Sequence, residues 1–161
     1  MHKVCLPPET ALALCDLNHS EHFEELFVTN HVERIPGEPI IIITIQGHLD
    51  AHIMRNTYQQ VADIARTIEG PVYRITDLRN VDVTLADLVE VVKEASKSIP
   101  GSASDPRIIN IFVGKNHMSR FAADMLRLRR FGGVYSVLMS TLEDALAYVR
   151  LKAANGSPSG V

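Results

Sequence analysis

Seven consecutive residues, Ile40-Ile41-Ile42-Ile43-Thr44-Ile45-Gln46, constrain this chain more than any other stretch. A strand with one face in water alternates apolar and polar side chains. An unbroken aliphatic run of strand length must instead be covered on both faces, which places it inside a mostly parallel sheet. The turn signal Pro36-Gly37-Glu38-Pro39 precedes it, and upstream of the turn Glu25 to Glu33 alternates. Leu26, Val28 and Val32 fall on one face, with Phe27, Thr29 and His31 on the other. The two segments together predict a β-hairpin with one half-buried and one fully buried strand.

After Gly47 the apolar period changes from 2 to 3.6. Met54, Tyr58, Val61, Ala65 and Ile68 form one stripe, with Asp50 placed to cap a helix that Gly70-Pro71 ends. A strand is predicted over Val72–Leu78, followed by Asn80–Val83 as a loop. Thr84-Leu85-Ala86-Asp87 has the form of a capping box, opening a helix with the stripe Leu85, Leu88, Val92, Ala95 and Ile99. Ser102–Pro106 is the longest polar connector and is predicted to be flexible. A strand over Arg107–Val113 follows, then a helix with Met118, Ala122, Met125 and Leu126 inward, stopped by Gly132-Gly133. Val134–Met139 is the last strand, and Ser140-Thr141-Leu142-Glu143 starts a final helix. The order β-β-α-β-α-β-α-β-α predicts an α/β fold: a mostly parallel mixed sheet with an N-terminal hairpin and covering helices. Residues 1–24 read as a lead-in, 25–152 as a single α/β domain and 153–161 as a flexible tail. Ile42, Ile75, Ile111 and Val137 are the positions expected deepest in the core.

Composition narrows the function classes. With 161 residues, 46% hydrophobic and 22% charged, the chain sits in the globular range and excludes collagen-like, disordered and disulfide-scaffold classes. No apolar run approaches the roughly 18 residues that span a bilayer, so no membrane insertion is expected. Cys5 and Cys15 have no partner at zinc-ligand spacing, and Pro7, Pro8 and Glu9 interrupt any secretory apolar core, so a reducing cytoplasm is expected. Residues 1–106 carry 8 basic and 16 acidic side chains, net -8; residues 107–161 carry 8 and 3, net +5. The polarised surface fits an acidic partner or a second copy of the chain. The net charge of -3 argues against nucleic acid.

Three constellations carry chemistry. Gly114, Lys115, Asn116, Ser119 and Arg120 lie between a strand and a helix start, where backbone N–H groups and two cations suit an anion. A P-loop is excluded because Ile109 stands where its first glycine belongs. Arg127, Arg129 and Arg130 continue a basic patch along the same helix, against the alternative of a solvated face with cations at its C-terminus. His48 and His52 share a spacing of four and are the metal candidates of the sequence, but they lack a third ligand and Asp50 is taken as a cap, so no metal is expected. Asp77, Asp82 and Asp87 gather near one strand end, where capping and turn duty explain the latter two. No G-x-S-x-G or Cys-His arrangement is present, so no catalytic residue, no cofactor and no enzymatic activity are expected.

The hairpin followed by alternating helices and strands, with Ile43-Thr44-Ile45-Gln46-Gly47-His48-Leu49-Asp50 and Ile75-Thr76-Asp77-Leu78-Arg79-Asn80-Val81, resembles the STAS domain, and within it the SpoIIAA-like proteins of bacteria. The resemblance covers about residues 25–152. It implies a non-enzymatic regulatory module that docks another protein or itself, with the alternative of a small anionic-ligand, nucleotide or lipid carrier of the same fold. In the family an Asp-Ser-Ser-Gly segment carries the phosphorylated serine. Here Asp82-Val83-Thr84-Leu85-Ala86 stands in its place, so Asp82 matches the aspartate, Thr84 falls at the second serine, and the Ser-Gly signature is absent. The resemblance thus makes Asp82 and Thr84 docking or phosphorylation candidates, beside the plain reading of Thr84 as a helix cap.

Overall fold

The computed structural model describes residues 29–156. The lead-in, Cys5, Cys15, the first positions of the predicted hairpin (25–28) and the tail from 157 lie outside the described residues. Strands β1 (Thr29–Arg34), β2 (Ile40–His48), β3 (Val72–Asp82), β4 (Ile108–Val113) and β5 (Ser136–Met139) form one sheet in that spatial order. β1 is antiparallel to β2, and all later pairs are parallel. Helices α1 (Ala51–Ala65), α2 (Leu85–Ala95) and α3 (His117–Arg127) connect successive parallel strands, and α4 (Leu142–Ala154) closes the chain.

Because each crossover advances one strand in the same direction, the rule of right-handed connections puts α1, α2 and α3 on the same face. Ile41, Ile43, Ile45, Val72 and Phe112 meet these three helices through Met54, Tyr58, Val61, Leu88, Val92, Met125 and Leu126. The alternate residues of the same strands, Ile40, Ile42, Tyr73, Ile75, Ile111 and Val113, meet α4 through Ala145 and Val149. The aliphatic run in β2 is thus buried on both sides, as its lack of alternation requires. Each isoleucine so covered contributes roughly 1.5–3 kcal/mol relative to exposure. Arg150 of α4 donates two bonds of 2.9 Å to the Glu38 carboxylate in the β1–β2 turn, tying the last helix back to the hairpin.

Several expectations are corrected. β3 does not end at Leu78 but runs to Asp82: a bulge on β3, where Leu78 and Arg79 lie opposite Ile45, is followed by pairing of Gln46 with Asn80, Gly47 with Val81 and His48 with Asp82. α2 ends at Ala95, so Ile99 lies beyond it and is partly exposed; Leu85, in the first turn, is 59% exposed, and Val91 rather than Leu85 completes the buried stripe. α3 stops at Arg127, since Leu128 turns extended at ψ 135°, and a one-turn 3-10 helix over Arg129–Phe131 separates it from Gly132. Val137 is only half-buried because β5 is an edge strand.

The 102–106 connector, read as flexible, is packed: Ser102 and Ala103 are buried, and the Ser102 hydroxyl donates to Lys97 O at 2.6 Å. Gly101 makes this docking possible. It sits at φ 78°, and a Cβ there would stand 2.2 Å from the Tyr58 carbonyl oxygen of α1.

Candidate functional site

The outer side of α3 and its exit into β5 concentrate exposed aromatic, aliphatic and arginine side chains. Asn116 caps the helix by accepting from the Ser119 N–H at 2.8 Å, and the Ser119 hydroxyl donates to the same Asn116 oxygen at 2.7 Å. That hydroxyl fills the space of a missing side chain at Gly114, where a Cβ would lie 2.3 Å away. Gly114, Asn116 and Ser119 are therefore brought together as the cap, while Lys115 and Arg120 are exposed beside it. Along the helix, Phe121, Asp124 and Leu128 recur at i, i+3 and i+7, which is one stripe. Phe121 and Leu128 are exposed large apolar residues, as is Tyr135 at 70%.

Arg127 joins these pieces. Its guanidinium lies 5.3 Å from the Tyr135 ring centroid, donates to Ser136 O at 3.0 Å and stands 3.6 Å from Asp124. Arg130 covers the Phe131 ring at 5.0 Å, and Arg129 is exposed. The three arginines of the expected patch thus share the turn between α3 and β5 with aromatic residues that composition alone did not single out.

At the carboxyl end of the sheet, Thr84 caps α2. Its hydroxyl accepts from the Asp87 N–H at 3.1 Å and donates to the Asp87 carboxylate. His48 Nε2 stands 3.5 Å from the same carboxylate, and Asp82 is exposed nearby at the end of β3. His52 is exposed and meets Asn56 at 3.2 Å, so the two histidines have separate partners. Among the described residues no group of three or more His, Cys, Asp or Glu side chains is arranged to hold a metal. Asp77 does not join Asp82 and Asp87: it alternates with Ile75 toward the α4 side and is chelated by Arg79 at 2.7–3.1 Å. Burial opposes ionisation of its carboxyl, but the bonds from Arg79 outweigh it and hold the pKa below the ordinary carboxylate value.

The sequence reading missed a polar group inside the three-helix face. Arg74, in the middle of β3, is 1% exposed; Nη1 donates to Gly101 O at 2.7 Å and Nη2 to Asn110 Oδ1 at 2.5 Å. Its guanidinium lies 5.2 Å from the Tyr58 ring centroid, and burial pulls its pKa down from the ordinary arginine value. The signal was available: a strand buried on both faces has no solvent side on which to place an arginine, so Arg74 had to be either paired or functional.

No protein-family model matches the chain. No curated protein matches it either. Among solved structures it is similar to an uncharacterised protein of the DUF3478 family with a SpoIIAA-like fold from Shewanella loihica PV-4, at 15% identity and TM-score 0.50, over 75% of this chain and 92% of that one. An anti-sigma factor antagonist from Mycobacterium paratuberculosis matches at 19% identity and TM-score 0.48, covering 76% and 94% of the two chains. SpoIIAA in its unphosphorylated form matches at 18% and 0.48, covering 76% and 96%. The fold of this chain is SpoIIAA-like.

Proposed function

We propose that this SpoIIAA-like domain is a non-catalytic, cytoplasmic regulatory module that docks an acidic protein surface through the turn between α3 and β5. The observation that carries the reading is the set of exposed apolar and aromatic side chains, Leu128 and Tyr135 at the turn and Phe121 on the same stripe of α3 as Leu128, together with Arg127, Arg129 and Arg130. Aromatic side chains and arginine are the types enriched where binding energy concentrates at protein interfaces, and the arginines add steering toward negative charge. Arg127 is held by Ser136 O and Tyr135, so part of its ordering cost is met before any partner arrives. Leu85, Asp82 and Thr84 form a second, smaller exposed group at the carboxyl edge, and a phosphate on Thr84 would sit at the N-terminus of α2 beside the opposing carboxylate of Asp87.

The test compares wild type with an Arg127→Glu/Arg130→Glu double variant in affinity capture from the native cell at low salt. A stoichiometric partner is expected with wild type, released near 1 M salt where screening acts over about 3 Å, and absent with the variant. A partner retained equally by both proteins overturns the reading. Sedimentation velocity of the same pair identifies a second copy as the partner if wild type alone self-associates in a salt-dependent way.

A further inference from the structure

Between the sheet and helices α1, α2 and α3 lies a cavity of about 50 Å³, walled by Tyr58, Arg74, Thr76, Leu88, Phe112 and Leu126 among others. Two polar atoms of this wall, Arg74 Nε and Thr76 Oγ1, have no hydrogen-bond partner among the described residues. Both side chains are almost completely buried, at 1% and 2% exposure. They sit at i and i+2 on β3, so they project to the same side of the sheet. The rest of the wall is overwhelmingly apolar.

The charge of this group is unbalanced. A guanidinium keeps its proton even when buried. Yet Arg74 is met only by the Gly101 carbonyl, the Asn110 amide oxygen and the Tyr58 ring, with no carboxylate at ion-pair distance among the described residues. Asp105 acts on it electrostatically without pairing with it, and that carboxylate accepts from the Gly101 N–H at 2.8 Å. A buried charge of this kind is stable when a counter-charge with matching acceptors completes it.

We propose that the cavity binds a small aliphatic monocarboxylate, whose oxygens accept from the Arg74 Nε–H and the Thr76 hydroxyl and whose alkyl end lies among Leu88, Phe112 and Leu126. A single positive charge with no ion-pair partner among the described residues favours a monovalent anion. Two free donors match the two oxygens of a carboxylate and are too few for a phosphate or sulfate. The volume is well above the roughly 10–15 Å³ that a single water needs, which leaves room for a group larger than water, such as a carboxylate with a short alkyl stem. Water alone satisfies the two donors but supplies no negative charge. A more open pocket at the carboxyl end of the sheet shares Leu49, Leu78, Leu88 and Ala122 with the cavity, so these four side chains form the wall between the cavity and that pocket. That end is where open α/β sheets admit ligands. The site shares no residue with the α3–β5 docking surface, so either proposal stands or falls alone.

The experiment is thermal unfolding and titration calorimetry of the full chain with sodium propionate, against sodium chloride at equal ionic strength and against the neutral shape analogue propionamide. Propionate is expected to raise the Tm saturably and to bind with a measurable heat, with neither control reproducing it. Thr76→Val, which keeps the shape and removes one donor, is expected to weaken binding roughly tenfold, and Arg74→Gln to abolish it. Should Arg74→Gln fail to fold, Thr76→Val carries the test. Equal effects of propionate, chloride and propionamide, or unchanged affinity in Thr76→Val, overturn the proposal.

Discussion

The two faces of the sheet solve different problems with the same strands. Among the described residues the α4 face is covered by α4 over Ile40, Ile42, Ile75, Ile111 and Val113, and the one buried charge there, Asp77, is neutralised locally by Arg79. The three-helix face buries Arg74, Thr76, Asn110, Ser102 and Glu94 beside a larger aliphatic core. A dry aliphatic face needs only volume and contact. A face holding a guanidinium needs fixed acceptors, and here they come from Gly101 in a packed loop and from Asn110, the residue paired with Arg74 across β3 and β4. The difference separates a face that provides stability from a face that provides stability together with an apolar cavity that two buried polar side chains line.

The strongest challenge to this comparison is to place a charge on the dry face. Ile111 is fully buried, between Ile75 of β3 and Val137 of β5. Ile111→Asp is expected to cost about 4 kcal/mol or more, leaving insoluble protein or a circular dichroism spectrum without cooperative unfolding. A soluble, cooperatively folding variant would show that the α4 face tolerates charge as the other face does.

Gly101→Ala probes the polar face. Its Cβ would meet the Tyr58 carbonyl oxygen at 2.2 Å and the Ala62 nitrogen at 2.8 Å, at a backbone φ of 78°. The loop must lift, carrying away the carbonyl that accepts from Arg74. A loss of about 2–3 kcal/mol in urea unfolding is expected. A loss under about 1 kcal/mol would mean that Arg74 does not depend on the loop.

Glu94 sharpens the comparison through pH. Arg55 of α1 donates two bonds of 3.0 Å to its carboxylate, and Lys97 donates a third at 2.5 Å. The bonds from Arg55 outweigh burial and, with Lys97, hold its pKa at about 2, against an ordinary 4.5. A depressed carboxylate stabilises the fold fully above pH 4.5, and that contribution disappears as pH falls toward 2. Since Arg55 and Lys97 are half-exposed, the expected cost of Glu94→Gln at pH 7 is about 1–2 kcal/mol. Urea unfolding of wild type and variant should converge near pH 2. A constant difference across that range would assign the cost to packing instead.

What was legible in the sequence was whatever depends on neighbours along the chain. The change of period after Gly47, the caps at Asp50 and Thr84, and the unalternating run in β2 are local signals, and the structure carries each of them. What was not legible depends on register. Gly101 and Asn110 lie 27 and 36 positions from Arg74, and they reach it because β3 and β4 pair in one alignment. The bulge that extends β3 to Asp82 and the edge position that half-exposes Val137 are likewise properties of the assembled sheet. At the candidate docking surface the arginines were visible as charge. Phe121 and Tyr135 were not, because an aromatic residue reads as core until its helix face or strand edge is known.

The smallest expected effect is the sharpest control on the comparison. α2, on the polar face, and α4, on the dry face, begin with the same device. Thr84 and Thr141 each accept from the N–H of an aspartate three residues on, at 3.1 Å in both cases, and each donates its hydroxyl to that aspartate's carboxylate. Both caps sit at the helix surface, so their energy depends on the first turn rather than on what the helix covers. Thr84→Ala and Thr141→Ala are therefore expected to cost about 1 kcal/mol each, equal within about 0.5 kcal/mol, and to add in the double variant since they belong to separate helices. Denaturant unfolding of the three variants decides it. An unequal pair would mean that one helix start does work beyond its own first turn: an excess at Thr141 would make the single helix over the dry face the weaker attachment, and an excess at Thr84 would tie the carboxyl edge of the polar face to the integrity of the cavity behind it.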